Sequence, residues 1–473
     1  MSREKYEKIF DEVIELKKKI ANIVEKTTPV TVTYRVESFL KHIRLNWKSF
    51  FEIISTLNTE QSLKHSNIIG DNDFILVYHS DAIRKTLEVI QKTSKHVVFN
   101  YFWLKALSYW WNEVQPKNQD SCYRIFDSAE FPLILAINRL YVDYSLKNGS
   151  KSKLVHMFHQ LKRSAIESME KNTIIDEKTR QRAIEKLRNI IDIIGFPEWL
   201  IIDEHLDDFY GIHGSLDSLI AHHYCISYIR LMRYFKYQMF RIMKNKDFSF
   251  REINFSPLMA NAFYNRHRNS IEIEPTLLKL PLFDAELPFY VNYAKLGSII
   301  AHEITHSFDK EGINYDKNGV FQEWWTNKSL RNFENRTQCF IEQYRNYSEH
   351  SYGLWRNNST LSEDIADNGG LRLAYMAYQN ELKSVPNLGK QPQLLPRLVD
   401  KKMTVDQIFF LSLAQIECGV LTNVQLKDLI NKHYHSPPES RVNLCMQNFD
   451  KFAESFNCSM GSPMNPKKRC LLW

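Results

Sequence analysis

Two histidines and a glutamate stand out in the stretch GSIIAHEITHSFDKEG, residues 297–312. His302 and His306 are four residues apart, which places them one turn apart on the same face of a helix. Two imidazole nitrogens in this arrangement can bind one divalent cation, and Glu303 lies close enough to reach a water on that cation. The stretch therefore predicts a helix that holds a catalytic metal ion. A buried helix that carries the HExxH pattern by chance is the less favoured alternative.

A third ligand is needed, because a catalytic zinc ion typically has three protein ligands and one water. In the stretch TLSEDIADNGG, Glu363 and Asp367 lie one turn apart on a predicted helix. One carboxylate could bind the metal while the other accepts the N–H of a ligand histidine. A solvated helix face followed by a glycine turn explains the same spacing equally well, and spacing alone leaves both interpretations open.

The elements that would position these residues fall into two parts. The first 240 or so residues are predicted to be almost wholly helical. For example, KTRQRAIEKLRNIIDIIGFPEW predicts one helix with an apolar face from Ile184 to Ile194, ended by Gly195 and Pro197. Further on, NAFYN and NSIEIEP predict two short strands around the turn RHR. Helical patterns then resume, so we predict a mainly α (α+β) fold with a helical domain over 1–240 and an α+β domain over 241–473.

Composition and charge are those of an ordinary globular protein. The chain has 473 residues, which favours two or more domains. Its net charge of +7 is spread over 62 basic and 55 acidic residues without a long basic tract, which argues against nucleic-acid binding. No apolar run approaches the roughly 18 residues that a membrane span needs. The charged N-terminal segment, which ends at TTP, predicts an amphipathic helix and not a signal peptide.

Cysteines and glycosylation sequons bear on the compartment. Of the seven cysteines, Cys445, Cys458 and Cys470 lie in the last thirty residues, and Asn-x-Ser/Thr sequons are densest between residues 327 and 360. Together these features favour an oxidising, secretory environment. The N-terminal helix taken alone favours the cytosol, and buried free thiols would explain the cysteines equally well.

Taken together, the motifs resemble those of the neprilysin/endothelin-converting enzyme family of zinc metallopeptidases. The resemblance rests on NAFYN, HEITHSFD, EDIADNGGLRLAYMAY, HSPPESR and the ending FNCSMGSPMNPKKRCLLW. Weaker likeness in RLYV, GFPEW and ELKKKIAN extends it to nearly the whole chain. It implies a thermolysin-like zincin catalytic domain with a small sheet, and a large helical cap domain that is incomplete at its N-terminus.

The resemblance also implies the catalytic roles. One zinc ion would be bound by three residues: His302, His306 and Glu363. Glu303 would be the general base, Asp367 would orient a ligand histidine, and His435 would stabilise the oxyanion. These roles are expectations at this stage.

Substrate contacts follow from the same resemblance. Asn261 and Ala262 would hydrogen-bond an extended peptide laid along their strand, and Arg441 would hold a backbone carbonyl of the substrate. Apolar residues around Ile299 and Ile300 would favour a hydrophobic side chain directly after the cleaved bond.

The chain departs from the family pattern near the site. The aspartate that usually lies two residues before the oxyanion histidine is His433 here. A carboxylate favours a protonated, donating His435, whereas a second imidazole does not, so we predict weaker oxyanion stabilisation and an altered pH profile. Ala301 and Ser307 replace glycines and are expected to be tolerated because they are small. Asp364 adds a charge near the site.

The resemblance implies one disulfide within the chain, Cys339–Cys470. Three further cysteines would have their partners in an upstream segment that family members possess: Cys122, Cys418 and Cys458. Cys225 and Cys445 have no partner that the resemblance assigns.

The leading functional prediction is a zinc-dependent endopeptidase that hydrolyses small extracellular peptides on the amino side of hydrophobic residues. The alternative is a truncated ectodomain with little or no activity that binds peptides or other proteins. The resemblance places the chain outside the cell or at its surface, as a secreted protein or the ectodomain of a type II membrane protein.

Overall fold

The computed structural model of the chain describes residues 3–27, 31–43, 72, 74–114, 132–146, 149–210, 227–228, 231–232, 235–236, 238, 259–354, 358–384 and 403–473. The chain divides into two compact units, one made of residues 1–137 and 199–254 and the other of residues 138–198 and 255–473. The segment 138–198 thus groups with the C-terminal residues. The division into a cap over 1–240 and a catalytic domain over 241–473 concerns function and stays a prediction.

Helices dominate the described residues, which confirms the mainly α prediction. In chain order the helices are α1 (Arg3–Lys26), α2 (Val36–Ile43), α3 (Ser80–Lys92), α4 (Lys95–Val114), α5 (Ile134–Ser145), α6 (Ser150–Glu170), α7 (Glu177–Arg188), α8 (Asp203–Tyr210), α9 (Phe289–Asn292), α10 (Ser298–Thr305), α11 (Asn327–Tyr352), α12 (Leu361–Ser384), α13 (Val405–Ala414), α14 (Asn423–Lys432), α15 (Pro438–Gln447) and α16 (Asp450–Ser455). The strands are β1 (Thr31–Arg35), β2 (Phe74–Tyr78), β3 (Ile191–Ile194), β4 (Ala262–Asn265) and β5 (Ser270–Ile273).

In the first unit, the amphipathic N-terminal segment forms α1 as predicted. Val13 and Leu16 lie on its buried face and pack with Val97 and Tyr101 of α4. Strands β1 and β2 pair antiparallel and form a small sheet of their own. The prediction that this part of the chain is almost wholly helical was therefore wrong at β1 and β2.

The second unit is built around a three-stranded sheet in the order β3-β5-β4. Strand β3 runs parallel to β5, and β4 runs antiparallel to it, with Ala262 opposite Ile273. The two strands predicted around the turn RHR are confirmed as β4 and β5. One large apolar core joins this sheet to helices α6, α7, α10, α12 and α13.

One predicted helix ends earlier than the sequence suggested. The apolar face from Ile184 to Ile194 was assigned to a single helix, but α7 ends at Arg188 and the Ile191–Ile194 segment forms β3. The run IIDII is rich in β-branched residues, which favour strands. Pairing with β5 satisfies its backbone, while Ile190 and Ile194 remain buried.

The two helices that carry the predicted metal ligands pack directly against each other. Helix α9, a π-helical turn (Tyr293–Gly297) and α10 follow one another without a break. Helix α12 approaches α10 at Gly370, where a Cβ would lie 2.8 Å from the backbone nitrogen of His302. Because a side chain there would force the helices apart, this glycine of DNGG allows α12 to bring Glu363 to the histidines.

The sequence also led to predictions about disulfides and membrane-spanning segments. The Cys339–Cys470 disulfide is present and joins α11 to the C-terminal segment, which confirms that pairing. Among the described residues, Cys418, Cys445 and Cys458 form no disulfide. Cys122 and Cys225 lie outside the described residues. Within the ranges given above, no helix is both long and apolar enough to span a membrane.

Candidate active site

Three side chains from α10, the turn after it and α12 converge on one point. Their ligand atoms all lie within 4.8 Å of one another. The Nε2 atoms of His302 and His306 are 3.0 Å apart, and the Oε2 atom of Glu363 lies 3.2 Å from the first and 3.5 Å from the second. The sequence left the third ligand open between two carboxylates, and the structure brings Glu363 to the histidines.

Each of these histidines contacts a second carboxylate through its other ring nitrogen, Nδ1. The Nδ1 atom of His302 lies 2.8 Å from Asp367 Oδ1, and that of His306 lies 2.7 Å from Asp309 Oδ2. A carboxylate at Nδ1 holds the proton on that nitrogen and leaves the Nε2 lone pair for a metal. The spacing prediction for Asp367 thus agrees with its position beside His302.

The arrangement fits a zinc ion. Ligand atoms 2.0–2.2 Å from a tetrahedral zinc are about 3.3–3.6 Å apart, close to the 3.0–3.5 Å distances between the three ligand atoms. Oε2 of Glu363 is buried and accepts no hydrogen bond of good geometry from a described residue. Two imidazole nitrogens and a buried carboxylate oxygen in such close contact suit one divalent ion, because a single cation satisfies all three donor atoms.

Protonation of this cluster follows from the same contacts. Burial lowers the pKa of His302, but its contacts with Asp367 and Glu363 outweigh burial and raise that pKa to about 9. Burial raises the pKa of Glu363, but three neighbouring imidazoles keep it well below its usual range. A metal that binds here therefore has to displace a proton from an imidazole.

Glu303, which lines the same pocket as His302, also reaches strand β4. Its Oε2 atom accepts a hydrogen bond of 2.9 Å from the backbone N–H of Tyr264. Burial raises the pKa of Glu303 and outweighs the charges of His302 and His306, which lower it. A carboxylate that is held in place and more basic than an exposed glutamate suits the role of a general base.

Strand β4 is an edge of its sheet. The N–H of Glu274 donates to the carbonyl of Asn261, so by the alternation of antiparallel ladders the backbone of Ala262 turns away from β5. The bond between Tyr264 N–H and Glu303 follows the same alternation. Ala262 can therefore meet an added strand through its backbone, whereas Asn261 can do so through its exposed side chain.

His435 lies beside Glu363, and Arg441 lies beside Asp367. The Nε2 atom of His435 is 3.0 Å from Glu363 Oε2, and its side chain is 39% exposed. The His433 ring lies 5.6 Å from the His435 ring, centre to centre, at a tilt of 43°. Arg441 donates two hydrogen bonds of 2.7 Å to Asp367, which therefore faces both Arg441 and His302.

A pocket of about 210 Å³ opens beside this group. Asn261, Ala262, His302, Glu303, His435 and Arg441 all line it. Its apolar lining includes Ile299, Leu413, Ile416 and Val442, and Glu417 adds a carboxylate. The prediction that Ile300 would take part was wrong, because Ile300 is fully buried in the core and does not line the pocket.

Asp364 was expected only to add a charge near the site. It is buried, and it accepts hydrogen bonds from the hydroxyls of Thr360 and Ser436. Ser436 follows His435 directly, so this carboxylate ties the start of α12 to the segment that carries the oxyanion candidate.

Sequence reasoning missed two residues that hold the segment after His306. Asp309 accepts from the backbone N–H groups of Glu311 and Gly312, at 2.7 and 2.6 Å, besides its contact with His306. Its place three residues after the second histidine, in HEITHSFD, is a signal that could have found it.

Lys186 of α7 is the second missed residue, and it is fully buried. Its Nζ donates to three backbone carbonyls, those of Ser307, Gly312 and Tyr315, at 2.7–2.8 Å. Burial lowers the pKa of Lys186 to about 7, against the opposing charges of Asp309 and Asp316. Nothing in the sequence separates this lysine from the exposed lysines around it, because only the fold brings α7 beneath the loop.

Two profiles of peptidase family M13 match the chain, over residues 1–197 and 261–472. Neprilysin-1 of Caenorhabditis elegans is 32% identical over 499 residues, covering 100% of this chain and 64% of neprilysin-1. Endothelin-converting enzyme 1 of Rattus norvegicus is 29% identical over 429 residues, covering 86% of this chain and 54% of that enzyme. The chain thus spans between half and two thirds of the length of these relatives.

Among solved structures, the fold is similar to that of the zinc metalloprotease ZMP1 of Mycobacterium tuberculosis in its open state. The TM-score is 0.68 at 22% sequence identity, and the match covers 100% of this chain and 73% of ZMP1. At this identity the likeness shows a shared fold.

Proposed function

We propose that this chain, which belongs to peptidase family M13, is a zinc-dependent endopeptidase. The ligands would be His302, His306 and Glu363, holding one zinc ion. The observation that carries the proposal is their convergence within 4.8 Å, with Glu303 fixed beside them. Two outer carboxylates that face the ligand histidines support it further.

When bound, zinc supplies a water of pKa roughly 7 and polarises the carbonyl of the scissile bond. Glu303 takes a proton from the attacking water and passes it to the leaving amine. Its burial keeps the carboxylate basic, and its bond from Tyr264 holds it in place. His435 donates a hydrogen bond to the developing oxyanion, a contribution on the order of 3 kcal/mol.

The substrate is an extended peptide that adds to the edge of β4. Ala262 pairs through its backbone, Asn261 through its side-chain amide, and Arg441 holds a substrate carbonyl with the guanidinium that Asp367 orients. The apolar lining at Ile299 favours a hydrophobic side chain after the cleaved bond. A preference for small peptides is proposed from the neprilysin resemblance.

We also propose an extracellular or cell-surface location. The Cys339–Cys470 disulfide supports an oxidising compartment. Asn327, Asn335 and Asn346, the sequon asparagines on α11, are exposed, as glycosylation requires.

The sequence also allowed an alternative, a truncated ectodomain with little or no activity that binds peptides or other proteins.

The test measures zinc in the purified chain by mass spectrometry, then cleavage of a fluorogenic peptide with and without a chelator. We expect one zinc per chain, cleavage that the chelator abolishes, and a loss of kcat/KM of about 10³ in Glu303→Gln. Bound zinc without cleavage would support the alternative. Cleavage that survives complete zinc removal would contradict both.

A further inference from the structure

Glu417 is a carboxylate in the pocket to which the proposed mechanism gives no role. It ends the 3₁₀ turn that follows α13 (Gln415–Glu417). It lines the same pocket as Ile299, Leu413, Ile416 and Val442. Its side chain is 23% exposed, so it is held at the pocket wall and still reaches the space inside. Placing a charge among aliphatic side chains costs free energy unless an opposite charge pairs with it.

The one guanidinium beside Glu417 is already shared. Arg441 gives Asp367 two bonds of 2.7 Å through Nε and Nη2, and only Nη1 lies near Glu417, at 3.2 Å from Oε1. Within the described ranges, Arg441 is the only lysine or arginine in ion-pair distance of Glu417. Two carboxylates, those of Asp367 and Glu417, therefore face one guanidinium.

Burial raises the pKa of Glu417 above its ordinary value, and the charge of Asp367 raises it as well. These two effects outweigh the charges of Arg441, His435 and His302, which lower it. A carboxylate whose ordinary pKa is disturbed by burial beside a second carboxylate is stabilised by any cation that enters the pocket.

We infer that Glu417 makes this pocket selective for a side chain with an aliphatic stem and a cationic end, lysine or arginine, directly after the cleaved bond. The inference rests on the proposed peptidase function and narrows its preference for a hydrophobic side chain to an aliphatic stem that ends in a cation. The stem would pack on Ile299, Leu413 and Val442, as a hydrophobic side chain would, and the cationic end would meet Glu417. A substrate glutamate at that position would be repelled.

The experiment uses quenched-fluorescent peptides that differ only at the residue after the cleaved bond: lysine, norleucine or glutamate. Norleucine has the straight aliphatic stem without the charge. The zinc-loaded full chain is compared with Glu417→Gln and with Asp428→Asn, which removes one acidic charge from the exposed face of α14. The readout is the ratio of kcat/KM values for lysine over norleucine.

We expect a ratio of about ten in the unmodified chain, the range of a charge-assisted contact. The ratio should fall to about one in Glu417→Gln and stay at about ten in Asp428→Asn. Cleavage of the norleucine peptide at least as fast as the lysine peptide would overturn the inference. A lysine-to-norleucine ratio that is the same in Glu417→Gln as in the unmodified chain would also overturn the inference.

A binding measurement separates this inference from the proposed function. Fluorescence anisotropy gives the Kd of each uncleaved peptide on the zinc-loaded chain with Glu303→Gln, with and without Glu417→Gln. Suppose that the unmodified chain cleaves no peptide, but the lysine peptide still binds about tenfold tighter than the norleucine peptide and Glu417→Gln removes this difference. The peptidase proposal would then fail, and the selectivity of the pocket would stand. Equal binding of lysine and norleucine would overturn the selectivity.

Discussion

The two halves of the site are built differently. In the metal half, His302, His306 and Glu363 are nearly enclosed, and a separate carboxylate faces each histidine. In the pocket half, His435 is 39% exposed, and Arg441 is shared between two carboxylates. Metal binding requires donor atoms fixed to within fractions of an ångström, whereas substrate selection requires groups that solvent and substrate can reach. The contrast shows that rigid support is concentrated around the proposed metal ligands.

The support for the metal half comes from packing as well as charge. Gly370 lets α12 lie against the backbone of His302, and Lys186 holds the loop that carries Asp309. A Cβ at Gly312 would overlap the carbonyl oxygen of His306, so this loop is closely packed too. The His433 side chain is exposed, and among the residues that the structure describes no comparable set of buried contacts holds it.

Glu363→Ala should have the largest effect, and it should weaken zinc binding without altering the pocket half. The variant leaves two imidazoles to hold the ion, so we expect the zinc Kd to rise by more than about a hundredfold, beyond the effect of losing an outer partner. Competition with a chromophoric chelator measures it. Glu417→Gln, in the pocket half, is the control and should keep its zinc. Equal zinc affinity in Glu363→Ala and the unmodified chain would show that another residue is the third ligand.

Asp309→Asn should have the next largest effect. The amide can no longer accept the His306 proton as a carboxylate does, so zinc affinity should fall about 10- to 100-fold. The same chelator competition measures it, with Asp428→Asn as a control of equal charge change. An unchanged zinc Kd would mean that the contact with Asp309 does not tune the ligand.

His433→Asp should improve the oxyanion stabilisation that we propose for His435 in the pocket half. A carboxylate near His435 favours its protonated, donating form, so kcat/KM at neutral pH should rise about fivefold, the worth of one charge-assisted hydrogen bond. The basic limb of the pH–rate profile should move to higher pH, because a raised folded pKa keeps the imidazole protonated further up the scale. Superimposable pH–rate profiles for His433→Asp and the unmodified chain would show that His433 does not weaken oxyanion stabilisation.

Asp176→Ala should have the smallest effect on the site, because it lies in neither half. Asp176 caps α7 at the N–H of Thr179 and accepts from the hydroxyls of Thr326 and Ser329 at the start of α11. We expect a loss of about 1–2 kcal/mol in the free energy of unfolding, with kcat unchanged. Urea denaturation monitored by fluorescence measures it, and Asp176→Asn is the conservative control.

The stabilisation by Asp176 should depend on pH. Burial raises the pKa of this carboxyl, but hydrogen bonds from Ser329, Thr326 and Thr179 outweigh burial and lower it. Since the folded pKa lies below the unfolded value of about 4, the stabilisation is present above pH 4 and is lost as the pH falls through the folded pKa. The stability difference between Asp176→Ala and the unmodified chain should therefore narrow below pH 4. A difference that stays constant down to pH 2 would contradict this account.

Prediction from the sequence succeeded where the signal is local. The spacing of His302 and His306, the strand pair around RHR and the amphipathic start of α1 each depend on residues within a few turns of one another. It failed where a neighbour from elsewhere decides the outcome. Ile191–Ile194 has helical periodicity, but β5 draws it into a sheet. Ile300 is next to Ile299, yet core packing turns it away from the pocket.

The sequence by itself determined the residue types of the proposed ligands, their spacing on each helix and the family to which the chain belongs. Only the tertiary structure decided which carboxylate meets the two imidazoles, that Lys186 lies beneath the loop after His306, and that Glu417 shares Arg441 with Asp367. The reason is physical. A helix specifies the directions of its own side chains, but the distance between two helices depends on what packs between them, and here that is the hydrogen atom of Gly370.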